Sequence, residues 1–114
     1  LLGHLGKMAE ASGVNAVLNV DQIPFLPAAR QYAEDGIIPG GTQRNLAWIK
    51  DQVDAGSFGE IDLLLLADAQ TSGGLVFGVD KDKTDDVCAE LEELDVVAAL
   101  IGETDAGDGK ISLR

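Results

Sequence analysis

The chain has 114 residues, 46% hydrophobic but only 4% aromatic, and its 20 Asp and Glu against 8 Lys and Arg leave a net charge of −12. That length makes one domain, able to bury roughly two-thirds of the unfolded chain's surface in a core of Leu, Ile, Val and Ala, as α/β layers do. The acidity repels polyphosphate backbones and excludes nucleic acid as a partner, and an ATP-like ligand needs Mg²⁺ or helix N-termini to screen it.

No apolar stretch approaches the ~20 residues of a membrane span. One Cys forbids an internal disulfide and suits a reducing, cytoplasmic compartment; with one His beside it, it makes no dedicated zinc site. The chain begins at Leu1 without a Met and reads as a piece of something longer.

In chain order, Leu1, Leu5 and Met8 follow helical spacing, and Gly13 is placed to stop that helix in the left-handed conformation. "VNAVLNV" (14–20) alternates as a half-buried strand. A helix runs from Pro27 toward Gly36, and "IIPGG" is a turn. Thr42 is the expected N-cap of the next helix, whose Leu46, Ile49 and Val53 share a face.

Residues 60–67 read as a short buried helix and Leu75–Val79 as a strand. Lys81–Leu94 reads as an amphipathic helix with Val87, Leu91 and Leu94 inward. Seven acidic residues between 82 and 95 make its solvated face. "VVAALIGE" and "KISLR" are the last strands, joined by a flexible "TDAGDG". The expected fold class is therefore α/β, an α+β sandwich of a four-stranded mixed sheet with about five helices.

Two polar interruptions carry chemistry. In "PGGTQRN", Gly40 and Gly41 before Thr42 supply free N–H groups, a positive dipole end and close backbone approach for an anion. Arg44 adds a cation in the first turn, where it opposes the dipole and so calls for an acidic partner. In "DAQTSGG", Asp68 could cap, hold Mg²⁺ or orient neighbours, while Thr71 and Ser72 offer hydroxyls and Gly73 and Gly74 a close backbone. One carboxylate alone holds Mg²⁺ poorly. Composition alone leaves a side-chain-satisfied bend equally open. His4 is expected to pack or hydrogen-bond, and Cys88 to be an inert small hydrophobe. One His and one Cys assemble no base, nucleophile and metal cluster.

"LLGHLGKMAEASGV", "IPGGTQRNLAW" and "DAQTSGGLVFGV", in this order, resemble the C-terminal domain of the selenophosphate synthetase (selenide, water dikinase) family over essentially the whole chain. One departure is Ala69, where that family usually has Pro. The resemblance implies the sandwich shared with aminoimidazole ribonucleotide synthetase. It also implies an activity converting ATP, selenide and water to selenophosphate, AMP and orthophosphate with Mg²⁺.

It further implies a missing N-terminal domain as partner, a homodimeric full-length enzyme, and a catalytic Cys or selenocysteine, Lys and Mg²⁺-binding aspartates in that domain. The residues it places near substrate or phosphate here are Gly40, Gly41, Thr42, Arg44, Asn45, Asp68, Gln70, Thr71, Ser72, Gly73 and Gly74, with no catalytic or metal-binding residue and no tightly bound cofactor in this chain. Two other readings are a non-catalytic assembly module and the same domain of a purine- or thiamine-pathway relative.

Overall fold

The computed structural model describes residues 1–70 and 73–114. Helix α1 (Leu2–Ser12) buries Leu2, Leu5, Gly6 and Ala9, three and four positions apart on one stripe. Gly13 ends it at φ 66, its N–H returning to Glu10 O at 3.2 Å, a left-handed stop that glycine adopts without steric cost. Met8, read into the helical spacing, and His4, expected to pack or hydrogen-bond, are both exposed, because roughly 100° per residue carries them off the stripe that Leu2 and Leu5 define.

Strand β1 (Val14–Leu18) follows, then a 3₁₀ turn at Val20–Gln22 and the short helix α2 (Ala29–Glu34). Helix α3 spans Gly40–Ile49, and a 3₁₀ turn leads to strand β2 (Val53–Asp54). Helix α4 is Glu60–Leu66, α5 is Thr84–Glu93, β3 is Gly102–Ala106 and β4 is Ile111–Leu113. None of the described helices is long and apolar enough to cross a membrane.

The strands form one mixed sheet in the order β2-β4-β1-β3. β4 is parallel to β1 and β2, and β3 is antiparallel to β1. The register sets Ala16 beside Ile111 and Leu18 beside Leu113, and all four are buried. Leu2 and Leu5 of α1, Ile49 of α3 and Leu66 of α4 join them in one core. The fold class is the expected one, with five α-helices and a four-stranded mixed sheet among the described residues.

Which segments fill the sheet differs from the sequence reading. Leu75–Val79 forms no strand and lies exposed, and it pairs with neither edge of the sheet, β2 nor β3. Val53 leaves the expected helix face because it pairs with Ile111 as β2. The strand expected over 96–103 starts only at Gly102 and runs on to Ala106. Its continuation is no flexible link. Asn15 Oδ1 accepts the N–H groups of Asp108 and Lys110, both at 3.1 Å, and Gly107 N–H donates to Gly13 O at 3.0 Å. α5 has the expected acidic surface but no buried residue: Val87, Cys88 and Leu91 are half-buried and Leu94 is exposed.

Candidate functional site

Helix α3 begins three residues earlier than expected. Pro39, at φ −60 and ψ 140, is its N-cap residue, so Gly40 and Gly41 form the first turn and Thr42 is the third helical residue. The Thr42 hydroxyl is not a cap because it is used across the fold. It donates to Asp68 Oδ1 at 2.5 Å and accepts from Ala69 N–H at 3.3 Å. At 1% exposure Thr42 is the buried polar residue among the described residues, and an unpaired hydroxyl there would carry a desolvation cost. The second Asp68 oxygen accepts from Gln70 Nε2. One turn further along α3, Asn45 Nδ2 donates to Ala67 O at 3.1 Å.

These bonds tie the first half of α3 to the chain leaving α4. Packing adds to them: a Cβ on Gly41 would lie 3.0 Å from Ala69 Cβ, so a side chain there would push the α3 turn and the Asp68 loop apart by a few tenths of an ångström. Ala69 supplies the N–H that meets the Thr42 hydroxyl, which a Pro there would lack. Burial opposes ionisation of Asp68, but the bonds from Thr42, Gln70 and the Ala69 N–H outweigh it and hold the carboxyl below its usual range.

The structure thus brings together Gly41, Thr42, Asn45, Asp68 and Gln70. Arg44 is not the partner of Asp68. Its guanidinium folds back along its own helix, within 3.6 Å of where a Gly40 Cβ would stand. Gly73 and Gly74 are exposed beyond the junction, and Thr71 and Ser72 lie outside the described residues. Two open cavities, of about 510 and 480 Å³, lie elsewhere, one beside Asn19 and Arg114 and one between Leu46 of α3 and Leu64 of α4. No group of three His, Cys, Asp or Glu able to hold a metal occurs among the described residues, and both Asp68 oxygens are already engaged, so Mg²⁺ does not fit this junction.

Sequence reading missed two contacts. Arg30 of α2 meets Asp62 of α4 at 2.6 Å, and the same carboxylate accepts the Gly59 N–H at 3.0 Å to start α4; the Arg30 bond holds the Asp62 carboxyl below its usual range. Lys7 Nζ sits 5.1 Å from the centre of the Trp48 ring. Neither pair has a fixed spacing in sequence that would announce it.

The family described as AIR synthase related protein, C-terminal domain, matches residues 1–113. A selenide, water dikinase of Porphyromonas gingivalis is 45% identical over 111 residues, 95% of this chain and 32% of the relative. Those of Yersinia pseudotuberculosis and Carboxydothermus hydrogenoformans are 38% and 36% identical over 99% and 100% of the chain, and 32% and 33% of their own length. The chain spans about a third of the relatives it matches. Matched along almost its whole length, it belongs to the AIR synthase related family as a C-terminal domain of that family.

Proposed function

We propose that this chain is the C-terminal domain of a selenophosphate synthetase and closes over the phosphate end of a nucleotide held by the N-terminal domain. The relatives' names support the reaction class. The observation that carries the site is the 2.5 Å bond from Thr42 to Asp68, which joins the two motif stretches into one rigid surface.

On that surface the N–H groups of Gly40 and Gly41, at the first two positions of α3, have no carbonyl within the helix and are free to meet an anionic oxygen. Arg44, exposed one turn on, is positioned to pair with the same anion. Asp68 orients Thr42 and Gln70 and takes no part in proton transfer. ATP, selenide and water would give selenophosphate, AMP and orthophosphate. The Mg²⁺, the nucleophilic Cys or selenocysteine and its Lys would belong to the N-terminal domain. In phosphoryl transfer positioning and charge stabilisation are the catalysis, so this domain alone would not turn over.

The test is ³¹P NMR of ATP and selenide with the full-length parent and, separately, with the 114-residue chain. Selenophosphate and AMP are expected from the parent only. A parent that makes none, or a chain that makes them alone, would overturn the reading.

A further inference from the structure

Thr42 and Asn45 lie three positions apart on α3, and so on one face of the helix. Between them they grip three consecutive residues. Asn45 Nδ2 donates to Ala67 O at 3.1 Å, the Thr42 hydroxyl donates to Asp68 Oδ1 at 2.5 Å, and Ala69 N–H donates to that hydroxyl at 3.3 Å. Among the described residues, the other bonds of this segment are local. Ala67 N–H goes to Leu63 O, Asp68 N–H to Leu65 O at 3.4 Å, and Gln70 N–H to Asp68 O at 2.9 Å. None of these local bonds reaches another element, so the two α3 side chains fix where the segment goes.

The two grips differ in kind. Thr42 meets the Asp68 side chain, whereas Asn45 takes a main-chain carbonyl at the exit of α4. Ala67 is the C-cap of α4 and is 2% exposed. Its carbonyl is one that a helix end leaves without a partner inside the helix, and the Asn45 amide satisfies it. Because the peptide unit is planar, holding this oxygen also fixes the plane of the Ala67–Asp68 peptide and the direction in which Asp68 leaves the helix. The position requires a donor. A carboxylate of the same shape would set two acceptors against each other and leave the Ala67 carbonyl unpaired. Asn45 is half-buried, while its neighbour Arg44 is exposed.

We infer that Asn45 is a positioning residue, acting through the Ala67 carbonyl to hold residues 67–69 against α3. The Asp68 loop is then already shaped when an anionic oxygen meets Gly40 and Gly41. The inference rests on the reading of this surface as the phosphate end of a selenophosphate synthetase. In that reading the nucleotide itself is held by the N-terminal domain. Losing Asn45 therefore leaves ground-state binding in place and removes alignment that matters in the transition state. Misplacement by about 1 Å is enough to cost on the order of 10²-fold in rate.

The test compares the full-length parent with its Asn45→Asp and Asn45→Gln variants by steady-state selenophosphate formation and by amide hydrogen exchange. Asn45→Asp keeps the shape and loses the donor. It is expected to lower kcat about 10- to 100-fold, with the KM for ATP within about two-fold. Exchange at Ala69 and Gln70 should quicken while β1 and β4 keep their protection. Asn45→Gln, which keeps the donor on a longer arm, should fall between Asn45→Asp and the parent; a value no better than Asn45→Asp would overturn the need for a donor. An unchanged kcat would overturn the inference. So would a raised KM with kcat kept, which would make Asn45 a ligand contact, and so would protection lost throughout β1 and β4, which would make it a residue of general stability. Unchanged exchange at Ala69 and Gln70 overturns it whatever the kinetics. The unsubstituted parent decides the reaction separately. If it makes no selenophosphate the dikinase reading ends, and exchange at Ala69 and Gln70 alone decides whether Asn45 holds the loop.

Discussion

Thr42 and Asp68, 26 positions apart in sequence, form one hydrogen-bonded unit at 2.5 Å, and the Ala69 N–H completes it by donating to the same hydroxyl. Replacing the hydroxyl by a methyl strands a carboxylate oxygen and an N–H at a part-buried position. Thr42→Val is therefore expected to cost about 1–3 kcal/mol, read from urea unfolding, and Thr42→Ser to cost less. Equal losses for the two would show that the methyl, rather than the bridge, carries the stability.

Gly40 and Gly41 should respond differently to the same substitution. Alanine inside a helix is favoured over glycine by about 1 kcal/mol, and at Gly40 the added Cβ meets only the mobile end of Arg44 at 3.6 Å. At Gly41 it meets Ala69 Cβ at 3.0 Å. Gly40→Ala is expected to leave the melting temperature level or raise it, and Gly41→Ala to lower it. The reverse order would mean that α3 and the Asp68 loop are not in contact.

Acid should weaken the fold through Asp62 and Asp68. Both carboxyls are held below the usual value of 3.8, Asp62 first by Arg30 and Asp68 by hydrogen bonds that overcome its burial. A depressed folded-state pKa contributes stability that is present above 3.8 and is lost as the pH falls through the folded-state value. Denaturant midpoints should be flat from neutral pH to about pH 5 and then fall. Asp68→Asn should make that fall shallower; an unchanged slope would remove Asp68 from the acid response.

Arg44 is exposed and makes no ion pair among the described residues. In the full-length parent, Arg44→Ala should lower turnover by about 10²-fold, the scale for losing one preorganised donor to developing charge, with the melting temperature nearly unchanged. Thr71→Ala is expected to behave alike. A large loss of stability with normal turnover would return both positions to a structural role.

Helix α5 buries no residue. Local opening is cheapest where buried apolar contacts are few, so amides of Thr84–Glu93 should exchange with solvent well before those of β1 and β4. Equal protection across these elements, measured by native-state hydrogen exchange, would place α5 in the same cooperative unit as the sheet.

Local rules made α1, β1, α4 and β4 legible: apolar spacing, a glycine stop at Gly13 and alternation in "VNAVL" are decided within a few residues. The edges of the sheet were not legible in that way. Val53 carries an ordinary helical spacing from Ile49 and becomes a strand only because Ile111 is available beside it. Leu75–Val79 has a strand's composition, yet composition does not supply a neighbour. At the site, residue types marked Thr42 and Asp68 as interesting. That the hydroxyl turns toward the carboxylate instead of capping its own helix depends on α4 delivering Asp68 to that spot, a relation of tertiary packing.

The sheet order also governs when the molecule can form. β4 is the last of the described strands in sequence but sits inside the sheet, holding β2 to β1. The bond from Lys110 N–H to Asn15 spans 95 residues, and contacts of such separation are reached late because loop closure must precede them. Until β4 arrives, β2 has no strand to join, and the apolar faces of α1 and α3 have only part of their floor. A destabilising change at Ile111, which pairs with both Ala16 and Val53, would therefore lengthen the interval in which those faces stand open to association with other unfinished chains.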